Sequence, residues 1–383
     1  MDPRQQYIMQ NAQARGAVLN NAVSVIQKVA TYTKASNPYT SGQATTINCP
    51  LQNVGLIKRV WIKVTANVQQ GAAETQNLQT FGPANFFSNV QFADLQNLIR
   101  INTSGLHLHL LDAARRTLAF GAAFTSDNPC GIGNNYNVIK APSAVTAAAD
   151  LYMMYEVPFS YSDVDLRGAI FAGTVNSTMN LALTINPSLF ITSTGNGVDA
   201  VYKSTTAQLG VLNSYTIDVY MEYLDQLPRD ANGNYILPMI DLAQQYTLLS
   251  SVQTGLAVNS DYAISFAALR DYLSTFLVYD NGGTLNAGTD INYFTVTTAN
   301  QMNLLKYDPF VAQLINGRNK INDDWPLGTY YFPFRDKPLS TLAQGNTVLN
   351  VNASTVNANA RILAFFEFFA SQTQLQSAPS INV

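Results

Sequence analysis

YLSTFLVYDNGGTLNAGTDINY, residues Tyr272–Tyr293, decides how the rest of this chain is read. It opens with an apolar run, turns at DNGG, and continues as a polar loop that ends on another aromatic. A run of this length bounded by a Gly/Asn turn reads as a strand. Leu273, Phe276 and Val278 are expected to fill the second of two β-barrels, with Tyr279 at its rim. The DNGG sequence has no phosphate-loop spacing and reads as a turn. Asp290 has no base partner beside it and reads as a loop hydrogen-bonder. Asn286–Asn292 then reads as a contact loop whose value lies in its shape.

Outward from this stretch the same period recurs. In Val60–Val68 the residues Val60, Ile62, Val64, Ala66 and Val68 share one face, and Trp61, Lys63, Thr65 and Asn67 share the other. Tyr215–Met221 and Arg361–Phe369 alternate in the same way. Shorter strand candidates fall at 87–92, 106–111, 151–158, 178–185, 262–266, 273–279, 291–296 and 346–351. NPCGIGNN, STGNGVD, RDANGN and DNGG separate them. Many short strands with such turns make a sandwich or barrel. Two weak helices are expected inside this region, at Pro309–Asn319 and Asp112–Ala123.

The N-terminal segment departs from the pattern. Ile8, Ala12, Leu19, Ala22, Val23, Ile26 and Ala30 fall near a 3.6-residue period, which predicts an amphipathic helix. Arg4, Arg15 and Lys28 make it mildly basic. Such a helix either packs on its own domain or lies against a lipid surface or a neighbour. The residues alone favour packing on its own domain. A second break falls at YLDQLPRDANGNYILPMIDL, Tyr223–Leu242, where neither Pro228 nor Pro238 fits a central strand. The expected organisation is therefore a helical arm over 1–35, a first barrel over 36–228, a linker over 229–242 and a second barrel over 243–383.

Composition narrows the function classes. Charged residues are 12% of the chain, against about 25% in an ordinary soluble domain. Asn, Gln, Ser and Thr must supply much of the surface, and uncharged polar surface is cheaper to desolvate than charged surface. Net charge is −3, which lacks the basic surplus of a nucleic-acid binder. No apolar run of membrane-spanning length occurs, and Met1–Gln13 lacks the apolar segment of a signal peptide. Cys49 and Cys130 are the only cysteines and are expected as free thiols in a reducing cytosol.

Candidate chemistry is thin. His107 and His109, two apart on an expected strand, would point to one side and could take a metal with a third ligand. A hydrogen-bonded pair on a strand face is the simpler reading. Asp163 with Asp165, and Asp323 with Asp324, are acidic pairs far short of a cation loop. Gly131–Tyr136 and Gly195–Val198 lack the spacing and the following helix of a phosphate cradle. No catalytic residue, metal ligand or cofactor site is expected. The densest charge cluster, Arg335, Asp336 and Lys337, reads as a solvated loop or a register-setting contact between subunits.

Several blocks, in order, carry a resemblance. They are FGPAN (Phe81–Asn85), SGLHLHL (Ser104–Leu110), NVIKAP (Asn137–Pro142), VPFSYSDVDLRGAI (Val157–Ile170), YLDQLP (Tyr223–Pro228) and NYILPMIDL (Asn234–Leu242). YLST, DNGG and NAGTDINY follow within Tyr272–Tyr293, then RDKP (Arg335–Pro338) and TVNANARIL (Thr355–Leu363). Together they resemble the tectivirus-type major capsid proteins, the double jelly-roll coat proteins of membrane-containing phages. Position 106 is Leu where the family pattern expects Trp, and 112–136, 186–210 and 340–352 match less well.

The resemblance implies an all-β fold of two eight-stranded jelly rolls with an N-terminal amphipathic helix and a few short loop helices. It implies homotrimers with a pseudo-hexagonal outline tiling an icosahedral shell over an internal membrane. Vertex and minor capsid proteins would be partners, without sequence-specific nucleic-acid binding. The place of the protein would be the virion capsid, after assembly from the host cytoplasm. Arg4, Ile8, Arg15, Leu19, Ile26 and Lys28 become candidates for membrane or neighbour contact. Asp290, Arg335, Asp336 and Lys337 become candidates for a subunit interface. The alternative is a phage spike or glycan-binding β-sandwich with Tyr330, Tyr331 and Phe332 exposed along a groove.

Overall fold

The period-two segments become strands in a computed structural model. It describes residues 2–35, 39–69, 76–79, 81–115, 138–139, 148–173, 177–194, 197–205, 209–285, 289–299, 303–312, 328–334, 338–341 and 345–370. Among them, sixteen strands have five or more residues. Helix α1 (Pro3–Asn21) precedes β1 (Val23–Lys34), β2 (Thr45–Leu51) and β3 (Leu56–Gln69). Next come β4 (Phe87–Ala93), β5 (Ile99–Thr103), helix α2 (Gly105–Arg115), β6 (Ala148–Pro158), β7 (Met179–Ile185) and β8 (Val211–Asp225). A short helix α3 (Met239–Ala243) leads into the second half: β9 (Tyr246–Gln253), β10 (Asp261–Phe266), β11 (Arg270–Asp280) and β12 (Ile291–Thr297). The last four strands are β13 (Asn303–Tyr307), β14 (Thr329–Pro333), β15 (Thr347–Ala353) and β16 (Arg361–Ala370).

Of the larger sheets, two belong to one half each and a third is shared; a small sheet of Gln76–Leu78, Phe190–Ile191 and Tyr202–Ser204 adds to the first half. β1, β8, β3 and β6 lie side by side in the first half, and β10, β15, β12 and β13 in the second. The shared sheet runs β14-β11-β16-β9-β5-β4-β7-β2. Its joint is the parallel pairing of β9 with β5, Leu248 opposite Ile101 and Leu249 opposite Asn102. The two barrels are therefore fused through one continuous sheet.

β16 shows how one strand serves two cores. Ile362, Ala364, Phe366 and Phe368 pack in the second barrel, while Leu363, Phe365 and Phe369 pack in the larger core of the first half. Alternate side chains leave a strand on opposite faces. A strand buried on both faces thus reads as a near-continuous apolar run. The same rule corrects the expectation for the opening stretch. Leu273, Phe276 and Val278 face the larger core, and Tyr272, Leu277 and Tyr279 fill the second barrel. A bulge between Tyr272 and Ser274 shifts the register there, which is why residue 272 and residue 277 share a face.

Two further expectations change. The N-terminal helix stops at Asn21, and Val23–Lys34 is a strand paired antiparallel with β8 from Val23–Asp225 to Lys34–Tyr215. Ile26 and Lys28 consequently sit on a strand. The segment VSVIQKVATYTK is rich in β-branched residues and Tyr, which fit a pleated surface better than a helix. Residues 106–111, expected as a strand, lie in α2. Their Leu106, Leu108, Leu110 and Leu111 are all buried, a spacing that a buried helix and a strand share. Gly105 opens this helix where the chain passes close to its neighbours. A Cβ there would lie 2.4 Å from the Ala84 carbonyl oxygen and 2.9 Å from a Tyr155 ring carbon. Of the two weaker helices, residues 112–115 fall in α2 and residues 309–312 are helical. Their remaining parts, 116–123 and 313–319, lie outside the described residues.

Candidate functional site

α1 is anchored by its second half. Ala14 and Val18 are buried, and Val18 packs with Leu56, Leu166, Ala169, Leu224 and Leu227. Leu19 and Ala22 are half-buried against the same cluster. Asn11 Nδ2 donates to Asp241 Oδ1 at 3.0 Å, and Arg15 donates to Asp241 Oδ2 at 3.2 Å. Ile240 N–H donates back to Asn11 Oδ1 at 2.8 Å. These bonds tie the helix to α3. Burial raises the Asp241 carboxyl above its ordinary range, against the opposing pull of Asn11 and Arg15. The first two turns carry no such anchor, and residues 2–10 are all exposed. Tyr7, Ile8 and Met9 are 51%, 57% and 43% exposed, a cluster of apolar side chains left in solvent beside Arg4. Ile26 is 63% exposed on β1, and Lys28 there pairs with Asp218 at 2.7 Å. No helix among the described residues is long and apolar enough to cross a membrane.

At the DNGG turn, Asp280 Oδ1 accepts the Gly283 N–H at 2.6 Å, and Asn281 N–H donates to the Thr284 carbonyl at 3.0 Å. Gly282 has φ +72, and a Cβ there would lie 2.6 Å from the Ala358 carbonyl oxygen. Both facts demand glycine. Asp280 Oδ2 accepts from Arg361 Nε at 2.8 Å, and the same guanidinium reaches Asp199 Oδ1 at 2.7 Å. The turn thereby links a second-half strand to a first-half loop. Asp290, considered for a subunit interface, is 3% exposed. Its carboxylate accepts from Asn281 Nδ2 at 3.1 Å, so it is used inside the chain. Tyr330, Tyr331 and Phe332 are buried, because β14 faces both cores, and they line no groove.

The helical setting of α2 separates the two histidines. His107 is fully buried, stacked on Phe365 at 5.1 Å between ring centroids, with Nδ1 2.7 Å from the Thr103 hydroxyl. Burial lowers its pKa to about 3. His109 is half-buried, and a two-residue step on a helix turns it about 200° away. Among the described residues no three His, Cys, Asp or Glu side chains are placed to hold a metal.

Beside His107 lies a polar joint between the barrels that no local motif signals. Glu367 is fully buried on β16 and accepts from Arg115 and from the Tyr246 hydroxyl, each at 2.9 Å. Ser274 also donates to it. The residues come from α2, β9, β11 and β16. Burial opposes the charge on Arg115, but Tyr246 and Glu367 outweigh it and raise its pKa.

A second missed cluster covers one end of the β3–β8 face. Lys58 donates to Glu222 at 3.0 Å, Arg59 to Glu156 at 2.9 Å, and Trp61 Nε1 to Glu222 at 3.0 Å. Asp163 also pairs with Arg59, while Asp165 holds Arg167 at 2.7 Å. The two aspartates are therefore separately neutralised. The signal was cross-strand charge on outward positions, visible only once the register is known: Arg59 stands opposite Glu222, and Trp61 opposite Glu156. Cys49 is a buried free thiol. Arg335, Asp336, Lys337, Cys130, Asp323, Asp324, Gly131–Tyr136, residues 286–288 and the C-terminal residues 371–383 lie outside the described residues.

Two β-barrels fused through one continuous sheet are also the architecture of solved viral capsid chains. The fold matches a chain of Sulfolobus Turreted Icosahedral Virus with a TM-score of 0.64 at 11% identity, covering 93% of this chain and 94% of that one. It matches a chain of the PBCV-1 virus capsid with a TM-score of 0.53 at 10% identity, covering 91% and 94%. The fold is thus the double jelly roll of viral major capsid proteins. The chain belongs to the P3 major capsid protein family: its N-terminal model matches residues 2–227 and its C-terminal model residues 243–383. It is 40% identical over 385 residues to Major capsid protein P3 of Enterobacteria phage PRD1, covering 99% of this chain and 95% of that one. Its role is that of a structural coat protein in the virion capsid, not an enzyme.

Proposed function

We infer that the chain assembles as a homotrimer whose six barrels give a pseudo-hexagonal capsomer, and that these capsomers tile an icosahedral shell over an internal membrane. The fusion of two barrels through the β9–β5 pairing carries this reading. Each chain supplies two similar barrels side by side, so three chains around one axis supply six. Rotational closure is the ordinary route to such oligomers. The exposed first turns of α1, with Arg4, Tyr7, Ile8 and Met9, form the contact to the inner membrane or to a neighbouring capsomer. Arg15 and Leu19 serve as its anchor, and Ile26 and Lys28 extend the surface along β1. The RDK cluster at Arg335–Lys337 is a candidate lattice contact. Vertex and minor capsid proteins complete the shell. The protein waits in the host cytoplasm before assembly, and the low net charge argues against sequence-specific nucleic-acid binding.

Light scattering on purified protein should give a mass near three chains, about 125 kDa from a chain of 41.8 kDa. A stable monomer at micromolar concentration would defeat the trimer. Deleting residues 2–10 should leave trimers intact yet abolish flotation with liposomes or reduce shell yield. Normal shells and unchanged flotation would remove the role given to the arm.

A further inference from the structure

The shared sheet has one side that changes character along its length. On the side of the larger core, Ile47, Cys49, Val90, Phe92, Ile101, Leu181 and Leu183 continue into Leu248, Phe276 and Phe365. On the opposite side, the second half is roofed by the β10-β15-β12-β13 sheet, with Leu277, Ile362, Ala364 and Phe366 between them. In the first half that side carries no roof among the described residues. It presents Thr46, Asn48 and Pro50 from β2, Asn180, Ala182 and Thr184 from β7, Asn89, Gln91 and Ala93 from β4, and Asn102 from β5. All ten are exposed or half-buried. The register sets them in rows: Asn48–Ala182–Gln91–Asn102 and Thr46–Thr184–Asn89.

None of the ten is charged. At one end of the face Arg100 is already neutralised by Asp94 at 2.6 Å. A solvent-facing sheet surface ordinarily carries Lys and Glu, and charged edges and faces are a common guard against sheet-to-sheet association. The β1-β8-β3-β6 sheet of this chain follows that rule, with Lys28 paired to Asp218 and Arg59 to Glu156 on its outward side. The charge-free face breaks it over about 24 Å along the strands and about 14 Å across them. Depletion of charge marks the core of a protein–protein contact. Amides, hydroxyls and small apolar groups cost less to desolvate than ions. The ten residues include no Lys or Arg, and Arg100 at the end of the face is already paired, so the face offers little to hold an anionic headgroup or a phosphate backbone.

We propose that this face, centred on Ala182, is a contact surface for a second copy of this chain, which covers it much as the β10–β13 sheet covers the rest of the same side. The proposal rests on the coat-protein assembly inferred above and names where one of its contacts falls. The face is smaller than the ~800 Å² per partner of a standard interface, so it acts with other contacts.

The test places charge where there is none. Asn48→Lys with Gln91→Lys flanks Ala182 on both sides. Ala182→Glu and Thr46→Lys are single changes at outward positions. Each variant should keep its thermal midpoint within a few degrees, and the single exposed Thr46→Lys guards against misfolding of the others. The expected result is a fall in mass by light scattering at micromolar concentration, or at least a tenfold loss of shell yield at wild-type trimer mass. Variants that form oligomers and shells in wild-type yield overturn the proposal. A wild-type protein that is itself monomeric and builds no shells defeats the assembly reading instead, which keeps the two failures apart.

Discussion

His107 shows how much one buried side chain constrains this protein. It sits on α2 against Phe365 and Phe276, faced by Glu367 and Arg115, of which the first favours its protonation and the second opposes it. Burial dominates and holds the folded-state pKa at about 3, against about 6.5 in the unfolded chain. Between those values the unfolded chain binds the additional proton, so stability is complete above pH 6.5 and falls as pH drops toward 3. The slope is about 1.4 kcal/mol per pH unit, or roughly 2–3 kcal/mol lost by pH 4.5. Urea unfolding at pH 7.0 and 4.5 measures it. His107→Leu should remove that part of the pH dependence, although it also gives up the bond to Thr103. An unchanged pH slope in the variant would mean that other groups set it. The sequence pointed to His107 as a residue to question but placed it wrongly. Alternating Leu and His fit a strand as well as a buried helix, and only packing against Ala84 and Tyr155 decides between them.

At the scale of the element, α1 is held at one end and free at the other. Its anchor is Val18 in an apolar cluster and Asp241 under Asn11 and Arg15. Asp241→Ala should release the helix: amide exchange over residues 3–21 should rise well above that of β1. The global free energy of unfolding should fall by only about 1–2 kcal/mol, because the Arg15 side chain left behind is 36% exposed and regains water. Exchange confined to residues 3–10 would show that Val18 suffices as the anchor. The helix was legible from its period, but its end was not. Val23, Ile26 and Ala30 extend the 3.6 spacing by coincidence, while Val, Thr and Tyr in the same segment carry the opposite preference. Pairing with β8 settles the contest, and that partner lies almost two hundred residues away in sequence. β3 and β8 were legible because antiparallel strands with one buried face repeat every second residue, and β16 because an apolar run of strand length marks a strand buried on both faces.

Across the whole molecule, the two halves are joined by the β9–β5 pairing, the Arg361–Asp199–Asp280 link and the Glu367 joint. The Pro-flanked break at Tyr223–Leu242 suggested two halves, but nothing in the sequence suggested the shared sheet, since a parallel pairing of Leu248 with Ile101 leaves no local trace. This is why Leu273, Phe276 and Val278 were assigned to the wrong core: one period-two pattern describes both faces of a doubly buried strand. The Glu367 joint separates stability from geometry. A buried ion pair seldom beats an apolar pair of similar volume, but losing one partner strands the other. Glu367→Ala should therefore cost about 3–5 kcal/mol, read from urea unfolding, since Arg115, Tyr246 and Ser274 all lose their acceptor. Arg115→Met with Glu367→Met should recover most of that loss. If the ion pair fixes the angle between barrels, the double variant should fold and form trimers while building fewer or misshapen shells. The reason is that a capsomer lattice multiplies a small angular error at every contact. Wild-type shells from the double variant would show instead that the continuous sheet alone sets the angle. In that case the buried charges would contribute neither stability nor shape.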